Sequence, residues 1–506
     1  MHGGVRYLEK AFKSADVGQL KLVFEALHER RRLLANAPHL TSELPIMMPC
    51  YAWWEVPYFW AGLKAYDAVA GGRGGGLTRS RFVSAREART RFPTLAPAGP
   101  GGASLKGAIV YSDGQFDDAR LALALALTAA AAGATVANYA AVTRLLKDPA
   151  GTVTGAVVRD ELTGAETEVA ARAVVNACGP FADSLRTLSD PASTPMMSPS
   201  AGVHVTLPDY YSPEGTGLIV PKTRDGRVVF MLPWHDVMIA GTTDAAAPAS
   251  RLPAASEEEI GFILDAVKEY LTVDVRRSDV QSAWSGVRPL AVDPTAASTA
   301  SASRDHVVAV GDDGLITVAG GKWTTYRLMA EDAVNAAVAS AKLSAARPGV
   351  TAALPLVGAA GWSPALFTEV AQGYTVPHRP GAIDTRVAKH LAASYGGRAP
   401  AVTRIAEQEG LGRRLTRGHP ELEAEVAYAA RAELCETAVD FLARRTRLAF
   451  TDVAATEQAL PRVLALLAQE KGWSWLRSRR EAARAKKFLA TFKGGAPPPP
   501  GLAGAG

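Results

Sequence analysis

Residues 314–338 read GLITVAGGKWTTYRLMAEDAVNAAV, and the order of residue types along them decides the fold class. Leu315 to Val318 is a short apolar, β-branched run of the kind that forms a buried strand. Ala319, Gly320 and Gly321 follow, and a helical pattern begins near Thr324 or Thr325. Small residues at a strand-to-helix turn let a flat ring or a phosphate come close to the backbone. The free N–H groups and positive dipole end of the helix then favour an anionic group, and Lys322 adds a cation at the same place. Close packing of strand on helix accounts for the same glycines equally well, so this turn alone assigns no function.

A second segment of this type is AVVNACGPFAD, residues 173–183. A buried strand is predicted over Ala173–Val175, ending in Asn176-Ala177-Cys178-Gly179-Pro180. It resembles the Ala-x-Gly turn by which flavoproteins with two dinucleotide folds pass their chain over the cofactor, although many α/β strands end this way. Cys178 reads as a packing residue rather than a reactive thiol.

Outward from these two turns the pattern is mixed. A charged helix is predicted from Gly18 to Leu34, with Leu20, Phe24, Leu27 and Leu34 near helical spacing. Residues 50–66 concentrate the aromatics Tyr51, Trp53, Trp54, Tyr58, Phe59, Trp60 and Tyr66, and residues 71–76, GGRGGG, read as a flexible insertion. The helix predicted over Asp117–Ala132 holds the longest apolar run and reads as buried. TVANYAAVTRLL, residues 135–146, is strand-like, and a β-meander follows with turns at Asp148–Gly151 and Thr163–Gly164. Residues 217–234 form a hairpin turning at Asp225–Gly226, with a third strand behind it at 237–244. SEEEIGFILDAVKEYL, residues 256–271, is a helix announced by a Ser256/Glu259 capping box, with Ile260, Ile263, Leu264 and Val267 on one face. Residues 350–492 look all-helical, and 493–506 read as a disordered tail.

A chain of 506 residues is expected to hold two or three domains. Apolar residues at 48% and charged residues at 21% suit a core-forming globular protein. A net charge of +5 suits an anionic small substrate or an anionic membrane surface and is too weak to argue for nucleic acid. Cys50, Cys178 and Cys435 are too scattered for a metal site or a disulfide framework, so a reducing compartment is the default. The first residues carry no recognisable targeting segment, and no apolar run is long enough to span a membrane.

Three arginines and one histidine are candidates for ligand chemistry. Arg288 in SGVRPL (285–290) precedes a proline that fixes the backbone, Arg304 lies in SRDH (303–306), and Arg6 in HGGVRYLE (2–9) adjoins Tyr7. Guanidinium forks hold a phosphate dianion best, yet most arginines are solvated surface groups. His204, in PSAGVHVTLP (199–208), reads either as a satisfied core group or as a general base.

A larger pattern raises all of these. HGGVRYLEKAF, IVYSDGQFDDARL, VVNACGPFAD, SAGVHV, GLIVPKTRDGRVVFMLPW, AGTTD, SGVRPL, GGKWTTYR and CETAVDFLARRTRLAF occur in that order from His2 onward. Together they resemble FAD-dependent glycerol-3-phosphate dehydrogenases, especially the mitochondrial, quinone-reducing ones. The resemblance implies an α+β flavoprotein of the glutathione-reductase-like, D-amino-acid-oxidase-like class over 1–345 and a helical C-terminal domain over 350–492. It implies oxidation of sn-glycerol 3-phosphate to dihydroxyacetone phosphate, with hydride passing to FAD and electrons to a membrane quinone. A glycerol-3-phosphate oxidase that uses oxygen is a close alternative.

Carried over residue by residue, the resemblance puts Arg6, Tyr7, Arg288 and Arg304 around the substrate and makes His204 the candidate base. It sets Lys322 beside the flavin and Gly179, Gly320, Gly321 and Thr324 against FAD. It also implies peripheral membrane contact at a mitochondrial inner membrane, for which Trp53, Trp54, Tyr58 and Trp60 beside Lys64 are suited, although packing into a core explains them as well. In one respect the chain departs from the family. Its members open with a strand, a GxGxxG turn and a helix ahead of the HGG motif. Here HGG follows Met1 and no GxGxxG occurs in the 506 residues. The expectation is therefore an incomplete version of a longer protein, or a chain that holds FAD weakly or serves as a flavin-free binding protein.

Overall fold

The computed structural model describes residues 17–69, 77–212, 215–220, 228–292, 306–344, 347–374 and 383–495. Arg6, Tyr7, the 71–76 loop, the Asp225–Gly226 turn, Arg304 and the tail beyond 495 lie outside the described residues. In chain order the main elements begin with α1 (Val17–Asn36), β1 (Thr41–Cys50), α2 (Glu55–Val69), β2 (Arg81–Ser84), α3 (Ala85–Arg91), β3 (Gly107–Phe116) and α4 (Asp118–Ala131). There follow β4 (Ala140–Lys147), β5 (Val153–Asp160), β6 (Glu166–Ala170), β7 (Val175–Asn176), α5 (Ala182–Ser189), β8 (Ser200–Pro208), β9 (Gly217–Val220), β10 (Val229–Trp234), β11 (Val237–Gly241) and β12 (Ala245–Ala246). Then come α6 (Glu257–Lys268), β13 (Ser282–Arg288), β14 (His306–Val310), β15 (Ile316–Gly320) and α7 (Tyr326–Ser340). The remainder is helical: α8 (Leu366–Tyr374), α9 (Thr385–Tyr395), α10 (Ala399–Gln408), α11 (Glu423–Ala432), α12 (Leu448–Thr451), α13 (Val453–Lys471) and α14 (Trp475–Ala490).

Among the described residues the largest sheet has nine strands. Strand β8 is paired by β13 along its length and by β11 and β12 in succession, and β10, β9, β1, β3 and β2 extend the sheet. All pairings are antiparallel except β1 with β9. Because side chains alternate along a strand, Val203, Val205 and Leu207 fall on one face, in a core closed by α3 and by Ile260, Ile263 and Val267 of α6. The Ser256/Glu259 capping box that starts α6 is formed as the sequence indicates. On the opposite face Ile46, Met48, Ile109, Tyr111 and Ile219 pack with Leu63 of α2.

The cofactor-turn region is a separate small sheet, β14–β15–β7, in which β15 and β7 run parallel. The meander β4–β5–β6 forms a third sheet, turning through Gly151 (φ +86°) and Gly164 (φ +82°). Two sequence expectations shift here. Residues 135–139 are not strand: Tyr139 holds left-handed backbone (φ +56°), and β4 begins only at Ala140. Helix α4 buries Leu121, Leu123 and Ala124, but its second half is only half-buried, so the apolar run is amphipathic rather than fully internal.

The helical C-terminal half is joined to α4 by buried charge. Arg120 makes two parallel bonds of 2.8 Å to the Glu433 carboxylate, and its Nε donates to the Ser394 carbonyl at 2.9 Å. Nearby, Glu425 accepts from His390 at 2.8 Å and from Tyr395 at 2.9 Å. Burial alone would lower the His390 pKa, but the Glu425 carboxylate outweighs it and lifts the imidazole to about 9. A folded pKa above the unfolded value of roughly 6.5 means this pair stabilises fully below that pH and loses its contribution as pH rises through 9. Thermal melts from pH 6 to 10 are expected to show that alkaline loss in the wild type and a flatter profile in His390→Gln. An identical slope in the two proteins would remove the pair from the account.

Candidate active site

The register of the large sheet sets one row of side chains across four strands. Trp284 lies opposite His204, His204 opposite Gly241, and Gly241 opposite Phe230. The imidazole stacks on Trp284 at 4.5 Å between ring centroids and reaches Phe230 at 5.5 Å. It crosses to Phe230 because position 241 has no side chain: a Cβ there would come within 2.5 Å of the ring. His204 Nδ1 is buried without a hydrogen-bond partner. Burial and the neighbouring Arg288 guanidinium push its pKa down to about 3, so the ring is neutral at physiological pH and its protonated form is strongly disfavoured.

Four residues along β13 from Trp284, opposite Ser200, the same face carries Arg288, whose guanidinium folds back over Gly202; any side chain at 202 would collide with it. Its Nη2 donates to Thr242 Oγ1 at 2.8 Å and the Thr243 carbonyl at 3.2 Å, and its Nη1 to Asp244 Oδ1 at 3.2 Å and the Ala201 carbonyl at 3.3 Å. Two of the sequence candidates, His204 and Arg288, are thus brought together. The Thr242–Asp244 turn that seats the arginine was visible only as a matching motif, AGTTD, without a role.

The remaining candidates assemble at the small sheet. β7 and β15 are parallel neighbours, with Asn176 opposite Thr317, so the turns after them lie side by side. Gly179 (φ +56°), Gly320 (φ +76°) and Gly321 (φ +81°) hold left-handed backbone that favours glycine. Asn176, missed in the sequence reading, ties the turns together. Its buried amide donates to the Ala182 carbonyl at 2.9 Å and to Thr317 Oγ1 at 3.4 Å, and its Oδ1 accepts from the Cys178 N–H at 3.3 Å. Cys178 itself is exposed rather than packed, and partial burial raises its pKa, which argues against a reactive thiolate.

The helical segments that follow, from Ala182 and from Trp323 through Tyr326, start without any side-chain cap, and Lys322 and Thr324 stand at the second of them. Two glycine turns beyond the carboxyl ends of parallel strands, each leading into an uncapped helix start, make a fitting cradle for a dinucleotide. The two groups of residues are linked through a small core, because Ala291, three residues after Arg288, packs with Met196 and with Ala319 just before Gly320. Among the described residues no cluster of three metal-ligating side chains exists.

Comparison with known proteins shows the family. A family model of FAD dependent oxidoreductases matches residues 1–327, and one of the C-terminal domain of alpha-glycerophosphate oxidase matches residues 349–478. The chain is 56% identical over 501 residues to a mitochondrial glycerol-3-phosphate dehydrogenase of Arabidopsis thaliana, covering 97% of this chain and 79% of that protein. It is 50% identical to the mitochondrial glycerol-3-phosphate dehydrogenase of Mus musculus, covering 97% of this chain and 67% of that one. Among solved structures, the glycerol-3-phosphate dehydrogenase from Bacillus halodurans complexed with FAD superposes with a TM-score of 0.74 at 27% identity, covering 93% of this chain and 86% of that chain.

Asn176→Ala leaves a backbone carbonyl and an N–H without their partner at the junction of the two turns. A loss of about 1–3 kcal/mol in denaturant unfolding is expected. A change below about 0.5 kcal/mol would mean the turns hold their shape without it.

Proposed function

This chain belongs to the FAD-dependent oxidoreductases and, within them, to the glycerol-3-phosphate dehydrogenase family, and from that premise we propose how its residues divide the chemistry. The chain oxidises sn-glycerol 3-phosphate to dihydroxyacetone phosphate with FAD as its cofactor; when bound, FAD accepts the hydride that leaves C2. Gly179, Gly320, Gly321 and Thr324 line the cradle that holds it, with Asn176 fixing the two turns and Lys322 placing positive charge at the edge of the flavin.

His204, whose buried Nδ1 has no partner, takes the proton of the C2 hydroxyl, as a weaker base than a free imidazole because burial and Arg288 lower its pKa. Trp284 and Phe230 keep that ring in one orientation and exclude water from it. Arg288 binds the substrate phosphate, joined by Arg6, Tyr7 and Arg304 from their places in the family motifs. The observation that carries this reading is the neutral His204 beside the Arg288 guanidinium on one sheet face, linked through Ala291 and Ala319 to the glycine turns.

The visible spectrum of the FAD-supplied chain, before and after anaerobic glycerol 3-phosphate, tests it. Flavin bands that bleach on addition are expected. His204→Asn is expected to keep the bands and bleach about 10²–10⁴ times more slowly. A colourless protein would overturn the cofactor assignment for this chain, and bands that persist with substrate would overturn the reaction.

The finer setting is mitochondrial, at the surface of a membrane from which a quinone takes the electrons. The relatives' names carry the compartment. Support for membrane contact is local: Trp53 and Trp54 are 66% and 65% exposed, and Tyr58 and Trp60 are exposed beside them, with Lys64 over the Trp60 ring. No helix among the described residues is long and apolar enough to cross a membrane. In liposome flotation, Trp53→Ser/Trp54→Ser is expected to shift most of the protein from the floated to the soluble fraction. Undiminished flotation of the folded variant would remove these aromatics as the contact.

A further inference from the structure

We propose that Asp244 is an internal counter-ion of Arg288, which the substrate phosphate must displace, and that it thereby sets how tightly the site takes its substrate. The inference rests on Arg288 being the phosphate ligand and asks what occupies that guanidinium beforehand. Four acceptors on Arg288 are seen among the described residues: two are backbone carbonyls, of Ala201 and Thr243, one is the Thr242 hydroxyl, and one is Asp244. The Thr243 position is locked, because its buried hydroxyl donates to Glu259 at 2.9 Å and accepts from the Val203 N–H at 2.9 Å. These three partners therefore stay in place whatever binds.

The fourth, Asp244, differs in charge and in freedom. Its carboxylate lies 3.2 Å from Nη1 and is steadied by the Ser200 hydroxyl, which donates to the same oxygen. Its side chain is 55% exposed against 33% for Arg288, so it can turn into water without burying charge. A phosphate dianion brought to this guanidinium would face a carboxylate at contact distance, and like charges so placed repel strongly. Exchange of one anion for the other resolves the conflict. The arginine keeps its orientation throughout, since the carbonyls and Thr242 continue to hold it over Gly202. An anion too weak to displace Asp244 gains nothing from Arg288, which makes the carboxylate a threshold for charge. Asp244 is thus a specificity-determining residue whose removal should strengthen binding, where loss of an ordinary ligand would weaken it.

Calorimetric titration of the FAD-supplied protein with glycerol 3-phosphate and with inorganic phosphate tests this. Asp244→Asn, which keeps the shape and one acceptor oxygen, is expected to bind both about fivefold more tightly, the size expected on removing an exposed competing ion pair. The gain should shrink as salt is raised from about 50 to 500 mM, because screening weakens the repulsion that is being relieved. Ser200→Ala is expected to tighten binding by a smaller factor, by loosening Asp244 while leaving its charge, and it covers the case in which the first variant misfolds. Binding by the wild type with equal or weaker binding by both variants would overturn the counter-ion role alone. No binding of either anion by any of the three proteins would overturn Arg288 as the phosphate ligand, and this inference would fall with it.

Discussion

The first turn of α4 is the constraint from which the rest of the molecule is hung. Phe116, just before it, packs edge-on against Trp323 of the glycine-turn segment at 6.1 Å. Asp117, its N-cap, faces His235 at 3.2 Å, at the tip of the β10–β11 hairpin of the large sheet. Asp118 pairs with Arg447 at 2.6 Å, and Arg120 with Glu433 at 2.8 Å, both in the helical half. Four of these five consecutive residues thus touch the glycine-turn segment, the large sheet and the helical half. The Arg120–Glu433 pair is almost wholly buried, so it contributes less to stability than its bonds suggest, but removing one partner leaves an uncompensated charge at a cost of about 3–5 kcal/mol. Such a pair fixes relative placement more than it stabilises. That matters here because the helical half reaches the candidate base: Phe450, in α12, packs edge-on against Trp284 at 5.2 Å, and Trp284 in turn stacks on His204.

Much of the fold is legible in the sequence wherever the signal is local. The Ser256 capping box, the β-meander with its glycine turns, the three strands of 217–241 and the strand–glycine–helix order of 314–338 all rest on neighbours within a few residues, and they form as read. Local signals also mislead where burial depends on distant partners. Phe24 fits the apolar spacing of α1 yet is exposed, while Leu27 and Leu33 carry the burial. Residues 135–139 have strand-like composition, yet the left-handed backbone at Tyr139 keeps them out of β4.

The site is less legible for the same reason. His204 and Arg288 are 84 positions apart, and only the pairing of β8 with β13 brings their faces together. The glycines that make the row possible, Gly202 and Gly241, look in sequence like ordinary strand interruptions. Their meaning is steric and appears only against the side chain that fills the vacated space. Asn176 was read as part of a turn, whereas its three bonds join two turns 141 residues apart in sequence. Residue type identifies what chemistry is possible, and register decides which residues share it.

Both reactive groups are held in forms that need no ligand to be stable. The imidazole is neutral, sandwiched between aromatic rings, with one buried nitrogen unsatisfied, and an uncharged ring tolerates that far better than an imidazolium would. The guanidinium is charged and cannot shed its proton, and among the described residues the fold gives it four acceptors. Satisfying an arginine completely and leaving it able to bind phosphate are opposed requirements. A geometry that meets both must make most partners permanent and at least one exchangeable. Fixed carbonyls and a threonine hydroxyl set direction, and a solvent-facing carboxylate balances charge until another anion takes its place. The cost is affinity, because the substrate competes with the protein. The return is a guanidinium already aimed, so little ordering is left to the binding step.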